Sequence, residues 1–461
     1  MMQRRYGSLL VICFLLTALN CVAQKSTASQ ENKPNLQPAM SASLKPRRPA
    51  SITPTQADQT HSTSNAYTLP PDLLAKAITL TRLRAILSFG GTAWSIAVLL
   101  LALALRWPVS LRDWAEHVTN RRWLQGLLFL PPAISSFVAL SLPLEIYSQH
   151  IELAYGLSVQ SWSSWSFDQL KALLLSLAVF TPILLLMYWI IRCSPRRWWL
   201  WFWLCTLPVI VFGVFISPMW IDPMFNHFSP LEKSDPQLVV QLERLVEHAG
   251  LEIPPSRMFL MRASEKVTGL NAYVTGIGAS KRIVVWDTTI QKLPTDEILF
   301  IAGHEMGHYV LQHIYKGLAF TALVLLVLLG LTYRCVTWLI RRYRAQWDIR
   351  GVDDWAALAV ILLVFICFGF LSSPIDNSFS RWEEHQADIY GQEAIHGLVA
   401  SPQVTAQKAF VSLGSVYLEA PHPNPWIEFW LYGHPSISSR ADFAAHYDPW
   451  LPGRYPRYFR K

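Results

Sequence analysis

Six apolar runs, each close to twenty residues long, limit what this chain can fold into. Four lie in the first half and two in the second: Ala85–Leu105, Trp123–Leu144, Ala172–Ile191, Trp198–Ser217, and roughly Gly317–Leu339 and Trp355–Ser372. A helix needs about 20 apolar residues to cross the hydrocarbon core of a bilayer. Only 15% of the residues are charged, whereas about 25% is usual for a soluble protein. The sequence therefore predicts a mainly α-helical, polytopic membrane protein of about six spans; the alternative is an unusually apolar globular core.

The amino-terminal segment has the pattern of an export signal. Two arginines precede the apolar stretch Leu9–Leu19, and small residues follow it up to Ala23. This layout predicts that residues 1–23 form a cleaved signal peptide, with an uncleaved anchor as the alternative. Residues 24–66 are rich in Ser, Thr, Pro, Gln and Asn, and we expect a disordered polar tether there.

Positive charge alternates between the loops that join the apolar runs. The second loop, residues 145–170, has acidic residues but no lysine or arginine. Short basic loops stay in the cytoplasm. The pattern predicts a bacterial inner-membrane protein in which the polar region around residues 304–308 lies on the periplasmic side. The arginines of the first, third and fifth loops carry this prediction: Arg106, Arg112, Arg121, Arg122, Arg192, Arg196, Arg197, Arg334, Arg341, Arg342, Arg344 and Arg350.

The net charge of +8 is explained by these loops. A nucleic-acid-binding protein would carry its basic residues on a soluble face. We therefore expect the lipid bilayer, and no nucleic acid, as a partner. The six cysteines form no C-x-x-C pair, which argues against a thiolate metal site.

Residues 304–308 read His-Glu-Met-Gly-His and follow a helix-starting segment at Thr295. Residues four apart share one face of a helix. His304 and His308 can thus bind one zinc ion, while Glu305 can accept a proton from the water that attacks the substrate. The motif predicts one zinc ion per chain in a hydrolytic site, although HExxH also occurs by chance on long helices.

A second cluster, residues 381–388, can supply the third protein ligand of such a zinc site. Glu383 and Glu384 are adjacent, so only one of them faces the metal. Asp388 shares the face of Glu384 and can orient a ligand. We expect Arg381 to pair with Glu384 or Asp388. We also expect two solvated residues and one structural histidine: Glu383, His385 and His313.

Together these motifs resemble the type I CAAX prenyl endopeptidases, which are integral-membrane zinc proteases related to the HtpX quality-control proteases. The resemblance extends in order from Pro218 to Arg440. Beyond the HExxH motif it rests on five stretches: Pro218–Leu231, Asn271–Gly276, Arg282–Asp287, Ser380–Asp388 and Gly433–Arg440.

The resemblance implies a role for each of six residues. It implies His304, His308 and Glu384 as zinc ligands and Glu305 as general base. It further implies that His434 stabilises the oxyanion of the tetrahedral intermediate and that Arg440 binds the substrate backbone.

The stretches Asn271–Gly276 and Ile283–Trp286 are rich in β-branched and aromatic residues and predict a hairpin. An exposed edge would bind an extended peptide through main-chain hydrogen bonds. We therefore expect substrate contacts at Asn271, Ala272 and Tyr273; the alternative is a purely structural hairpin.

These patterns predict a membrane-embedded zinc metalloendopeptidase. Four spans lie in residues 67–217, and a small α+β, zincin-like catalytic domain with two further spans lies in 218–450, followed by a tail, 451–461. The predicted partner is a polypeptide, prenylated if the enzyme is CAAX-protease-like. The alternatives are an HtpX-like quality-control protease that faces the periplasm, and a transporter or receptor with an incidental HExxH.

Overall fold

A computed structural model describes residues 66–276 and 281–459. The predicted signal segment and nearly all of the tether lie outside these residues. Within the described part, six helices are long and apolar enough to span a membrane, as the sequence predicts. They are α1 (Pro71–Ala104), α3 (Arg122–Ala154), α4 (Trp162–Cys193), α5 (Trp198–Trp220), α10 (His313–Trp347) and α11 (Ala357–Ala394).

The helices are longer than the apolar runs that predict them. Helix α1 begins at Pro71 rather than at Ala85, and α10 continues through arginines that the sequence assigns to a loop. Helix geometry persists beyond the hydrocarbon core because it satisfies the backbone hydrogen bonds in either environment. A separate short helix, α2 (Trp107–Val118), joins α1 to α3.

The arginine-rich connections gather at one end of the helical bundle. Arg106 donates to the carbonyl of Gln346 at 3.1 Å. Buried Arg112 donates to the carboxylate of Asp354 at 2.7 Å. The first and fifth loops thus contact each other, as the alternation of loop charge predicts for loops on one side of a membrane.

The smaller α+β part contains a four-stranded sheet of order β1-β2-β4-β3. Strands β2 and β4 are parallel, and the other two pairs are antiparallel. The predicted hairpin pairing is confirmed, with Tyr273 opposite Val284; its connection, residues 277–280, lies outside the described residues. The strands are β1 (Phe228–Pro230), β2 (Met258–Met261), β3 (Ala272–Thr275) and β4 (Arg282–Trp286).

Seven further helices complete this part, and four of them build its main apolar core. They are α6 (Asp222–Phe225), α7 (Pro236–His248), α8 (Asp287–Lys292), α9 (Thr295–Val310), α12 (Pro402–Tyr417), α13 (Pro425–Leu431) and α14 (Ile437–His446). The core includes buried residues from α7, α9, α12 and α14, such as Leu242, Phe300, Phe410 and Ala441.

Helix α11 joins the membrane region to the catalytic region without a break. The sequence places a boundary after Ser372, but the helix continues through Pro374 to Ala394. At its far end, buried Glu393 accepts hydrogen bonds from the backbone of Arg457, Tyr458 and Phe459. Part of the segment predicted as a separate tail therefore packs onto the catalytic region.

Candidate active site

Helices α9 and α11 cross closely because glycines line their contact. A Cβ atom on Gly391 would lie 2.7 Å from the backbone nitrogen of His304, and one on Gly307 would lie 3.0 Å from the Cβ of Tyr390. Side chains at these positions would push the helices apart. The crossing brings the HExxH motif of α9 against Glu384 of α11.

His304, His308 and Glu384 bring their donor atoms within 4.8 Å of one another. The Nε2 atoms of the two histidines are 3.2 Å apart. The Glu384 carboxylate oxygens lie 3.3 Å from Nε2 of His304 and 3.5 Å from Nε2 of His308. His304 and Glu384 are buried. This cluster of two imidazoles and one carboxylate can hold a metal ion.

Asp388 and Arg440 lie behind His304. The Nδ1 atom of His304 is 2.9 Å from Oδ1 of Asp388. Arg440 donates to both Asp388 oxygens, at 2.5 and 2.9 Å, and its side chain is 5% exposed. Burial lowers the pKa of His304, but its hydrogen bonds to Asp388 and Glu384 outweigh that effect and raise the pKa to about 9.

His434 reaches the cluster from the loop between α13 and α14. Its Nε2 atom is 3.2 Å from Oε1 of Glu384. Burial lowers the pKa of His434, and the Glu384 carboxylate opposes that shift. Glu305 is half-buried on α9 next to His304, and its charge acts on Arg440. The site thus combines candidate metal ligands, a further carboxylate and a further imidazole.

The sequence predicts that Arg381 pairs with Glu384 or Asp388, but the structure gives it other partners. It donates to the backbone carbonyls of Glu428 and Tyr432, at 3.1 and 2.6 Å. Its long side chain reaches the segment that precedes His434. Residue spacing on α11 does not predict this contact, because the segment lies on another part of the chain.

The expectation that Glu383 is solvated is wrong, whereas His385 is exposed as predicted. Glu383 is 2% exposed because α11 enters the core of the catalytic region. His313, expected to be structural, is buried with its Nδ1 atom 3.0 Å from Nδ1 of His308. It therefore contacts a candidate metal ligand, which its position nine residues after His304 does not by itself indicate.

The strand residues offer backbone rather than side chains to a ligand. Ala272 is 1% exposed, and Tyr273 packs against the buried cluster that contains Val284 and Trp286. The backbone of Asn271 bonds to the Thr289 hydroxyl and to the Trp286 amide. Strand β3 is nevertheless the edge of the sheet.

Residues that the sequence analysis missed line a pocket beside His434. The pocket lies between α1, α3 and the α13–α14 loop, and its lining includes Arg84, Glu152 and His434. Arg84 is buried and lies 3.3 Å from the Glu152 carboxylate. Arg84 directly precedes the run Ala85–Leu105 and Glu152 lies in the loop of residues 145–170, so the sequence marks neither of them as a charge inside a span.

Comparison with known proteins gives consistent matches along the chain. Residues 47–227 match the CAAX prenyl protease N-terminal family model, described as five membrane helices, and residues 232–448 match peptidase family M48. Within 66–227 the structure describes four candidate spans.

Two curated relatives and one solved structure show the range of the similarity. An uncharacterized metalloprotease of Bacillus subtilis, YhfN, is 36% identical over 400 residues, which is 86% of this chain and 89% of the relative. CAAX prenyl protease 1 of Saccharomyces cerevisiae is 28% identical over 336 residues, 68% of this chain and 71% of its own length.

The crystal structure of S. mikatae Ste24p has the same fold, with a TM-score of 0.71 and 24% identity over 84% of this chain and 91% of that chain. The matched families explain why the HExxH helix, the third acidic residue and the spans occur together, which an incidental motif in a transporter or receptor would not. The chain is an integral-membrane metalloendopeptidase that acts on polypeptides, and it belongs to peptidase family M48.

Proposed function

We propose that the metal is a single zinc ion held by His304, His308 and Glu384. The observation that carries this proposal is the spacing of the donor atoms, 3.2, 3.3 and 3.5 Å. Ligands about 2.0–2.1 Å from a tetrahedral zinc are roughly 3.3–3.4 Å apart. Three protein ligands also leave a fourth position open, as a catalytic zinc site requires. Zinc bound there supplies the Lewis acidity that activates a water for attack on a peptide bond.

Glu305 acts as the general base in this proposal. It follows His304 directly on α9, its side chain is half-buried, and its charge interacts with that of the buried Arg440. The carboxylate accepts the proton of the attacking water and then donates it to the leaving amine.

His434 stabilises the negative charge that develops on the carbonyl oxygen of the substrate. Its imidazole lies 3.2 Å from Glu384 and is held at the cluster by a loop rather than by the metal-binding helices. A single preorganised donor of this kind contributes about 2.7–4 kcal/mol to lowering the barrier.

The contacts of Arg440 support a different role from the backbone binding that family resemblance implies. Its guanidinium donates from Nε and Nη2 to the two carboxylate oxygens of Asp388. Arg440 thereby fixes Asp388 against Nδ1 of His304, which leaves Nε2 free for the metal. The substrate backbone pairs instead with the edge of β3 at Asn271, Ala272 and Tyr273, by strand addition.

The substrate class follows from the side of the membrane that the site faces. The arginine-rich loops meet at one end of the bundle, and the catalytic region lies at the other end of α10 and α11. Basic loops are cytoplasmic, so the zinc site faces the periplasm of a bacterial inner membrane. Exported or misfolded polypeptides are accordingly the first candidate substrates. Prenylated polypeptides are the second, favoured by the similarity to the yeast CAAX prenyl protease.

We also propose the following division of the chain. Residues 67–217 form a four-span membrane region, and residues 218–450 form the peptidase domain with its two inserted spans. The contact of Glu393 with Arg457–Phe459 extends that domain into the segment 451–461.

The test of the proposed chemistry is Glu305→Ala in the purified full-length protein. Cleavage of fluorescein-labelled casein should fall to background while one zinc per chain is retained, because Glu305 is not a ligand. Glu243→Ala, a half-buried position on α7, which contributes no residue to the candidate metal cluster, is the control. Cleavage by Glu305→Ala at the native rate would refute the mechanism.

Two internally quenched peptides of one sequence, with and without a farnesyl-cysteine, distinguish the substrate classes. Equal cleavage of both supports an unmodified polypeptide substrate, and cleavage of the farnesylated form alone supports the second candidate. Reporter fusions near Arg344 and at the C-terminus test the orientation, and a cytoplasmic C-terminus would contradict it.

A further inference from the structure

Helix α11 presents a polar stripe to the site. Asn377, Arg381, Glu384 and Asp388 follow one another at spacings of four, three and four residues, so they share one face of the helix. Glu384 belongs to the candidate metal-binding cluster already described, and Asp388 lies behind its His304. Arg381 lies one turn and Asn377 two turns before Glu384, toward the membrane.

These two residues hold the backbone that precedes His434. Asn377, which is 6% exposed, donates to the carbonyl of Trp430 at 2.6 Å. Arg381 donates from one guanidinium nitrogen to the carbonyls of Glu428 and Tyr432. Residues of α11 thus bind every second carbonyl from Glu428 to Tyr432, at the end of α13 and directly after it.

The other side of the loop is fixed independently. The Glu428 carboxylate accepts a hydrogen bond from the Ser436 amide at 3.3 Å, which closes the loop around His434. Beyond it, α14 is tied to α11 by the Arg440–Asp388 pair. The segments before and after His434 are therefore both bound to α11, the helix that supplies Glu384.

We propose that Arg381, assisted by Asn377, is a positioning residue that sets the distance of the His434 imidazole from the reacting carbonyl. This inference rests on the proposed role of His434. A transition-state donor must be held within about 0.5 Å of its productive place, and a displacement of about 1 Å can lower the rate about 100-fold. A guanidinium can bond two carbonyls at once, whereas an ammonium is a point charge on a flexible stem.

The experiment measures kcat and KM on the better-cleaved quenched peptide, with zinc content determined in parallel. Arg381→Ala should lower kcat about 10- to 100-fold, with KM nearly unchanged and one zinc retained. Arg381→Lys should recover part of the loss, and Asn377→Ala should lose less than Arg381→Ala. Because both substitutions act through one imidazole, Arg381→Ala/His434→Ala should be no slower than His434→Ala alone.

Arg106→Ala is the matched control. Arg106 also donates to two backbone carbonyls, of Ala345 and Gln346, but at the opposite end of the bundle. It should leave kcat unchanged, which separates a positioning effect from the general loss of an arginine–backbone contact.

Two results have distinct meanings. If Glu305→Ala and His434→Ala both cleave at the native rate, the proposed function itself fails. If His434→Ala is slow but Arg381→Ala retains native kcat, or if the double variant is slower than His434→Ala by the full factor of Arg381→Ala, only the positioning inference is overturned.

Discussion

His304 is oriented by contacts at both of its ring nitrogens. Nδ1 lies 2.9 Å from Asp388, and Nε2 lies 3.3 Å from Glu384. An imidazole that donates from Nδ1 to a carboxylate presents Nε2 to a metal in a fixed tautomer. Asp388 is in turn held by Arg440. Arg440 on α14 thus fixes Asp388, and Asp388 fixes the orientation of the His304 imidazole at the candidate metal site.

Asp388→Asn should weaken zinc binding by about 10- to 100-fold. The amide keeps the shape of the side chain but removes the charge that orients His304 and pairs with Arg440. Competition with a chelator measures the affinity, and excess zinc should restore part of the activity. Asp442→Asn, at a half-exposed position of α14, should bind zinc as the native protein does. Unchanged affinity in Asp388→Asn would contradict this role.

The crossing of α9 and α11 sets the distances at the site. Buried residues line both helices from Ile298 to Gly307 and from Ala387 to Ala394. The backbone of His304 and that of Gly391 are too close to admit a side chain between them. Helix packing, rather than local sequence, therefore decides where Glu384 meets the two histidines.

Gly391→Ala should destabilise the protein by about 1–3 kcal/mol, because the added methyl group overpacks the crossing. It should also reduce the zinc content by moving His304. Thermal denaturation in detergent and metal analysis measure these effects. Gly90→Ala is the control: an added Cβ there meets no atom within 4 Å, and alanine favours a helix by about 0.5–1 kcal/mol over glycine. Equal melting temperatures of the two variants would refute the packing argument.

Strand β3 allows an internally controlled test of substrate pairing. The Asn271 carbonyl accepts from the Trp286 amide, so the backbone groups of Ala272 and Val274 point away from β4 in an antiparallel ladder. A paired peptide substrate would use every second amide. N-methylation of each peptide amide that pairs with β3 should lower kcat/KM about five-fold or more. N-methylation of the intervening peptide amides should have little effect. A loss without alternation would contradict strand addition.

At the scale of the whole molecule, the α3–α4 loop and α4 form a contact between the membrane helices and the catalytic region, in addition to the continuous helix α11. The α3–α4 loop pairs with the segment before β3 through Ser158 and Val267. Beside this contact, Lys266 lies 3.1 Å from buried Asp168 of α4 and donates to the Phe225 carbonyl. The loop that lacks basic residues is thus the one that contacts the catalytic region.

Asp168→Asn should lower the stability of the protein by an amount that depends on pH. Burial lowers the pKa of Lys266 from 10.5 to about 8, and Asp168 opposes that shift. Between these values the unfolded chain binds more protons than the folded chain, so this group makes stability rise with pH. Without Asp168 the pKa of Lys266 falls further.

The variant should therefore melt lower than the native protein below pH 8, by the equivalent of about 3 kcal/mol. The difference should narrow above pH 8, where Lys266 is uncharged in the folded native protein and in the folded variant alike. Thermal denaturation in detergent at several pH values measures it, and Asp113→Asn at an exposed position serves as control. A pH-independent difference would contradict this account.

The sequence by itself determined the spans, the hairpin and the pairing of His304 with His308 on one helix face, because each depends on local composition or helical spacing. Twenty apolar residues specify a span wherever they occur, and residues four apart share a helix face in any fold.

Only the tertiary structure decided the partners of Arg381, the burial of Glu383, the contact of His313 with His308 and the pocket at Arg84 and Glu152. Each of these contacts joins elements that are distant along the chain, as Arg381 and Tyr432 are. The side of a helix that meets such a partner is set by how whole helices cross, and no periodicity within one helix encodes it.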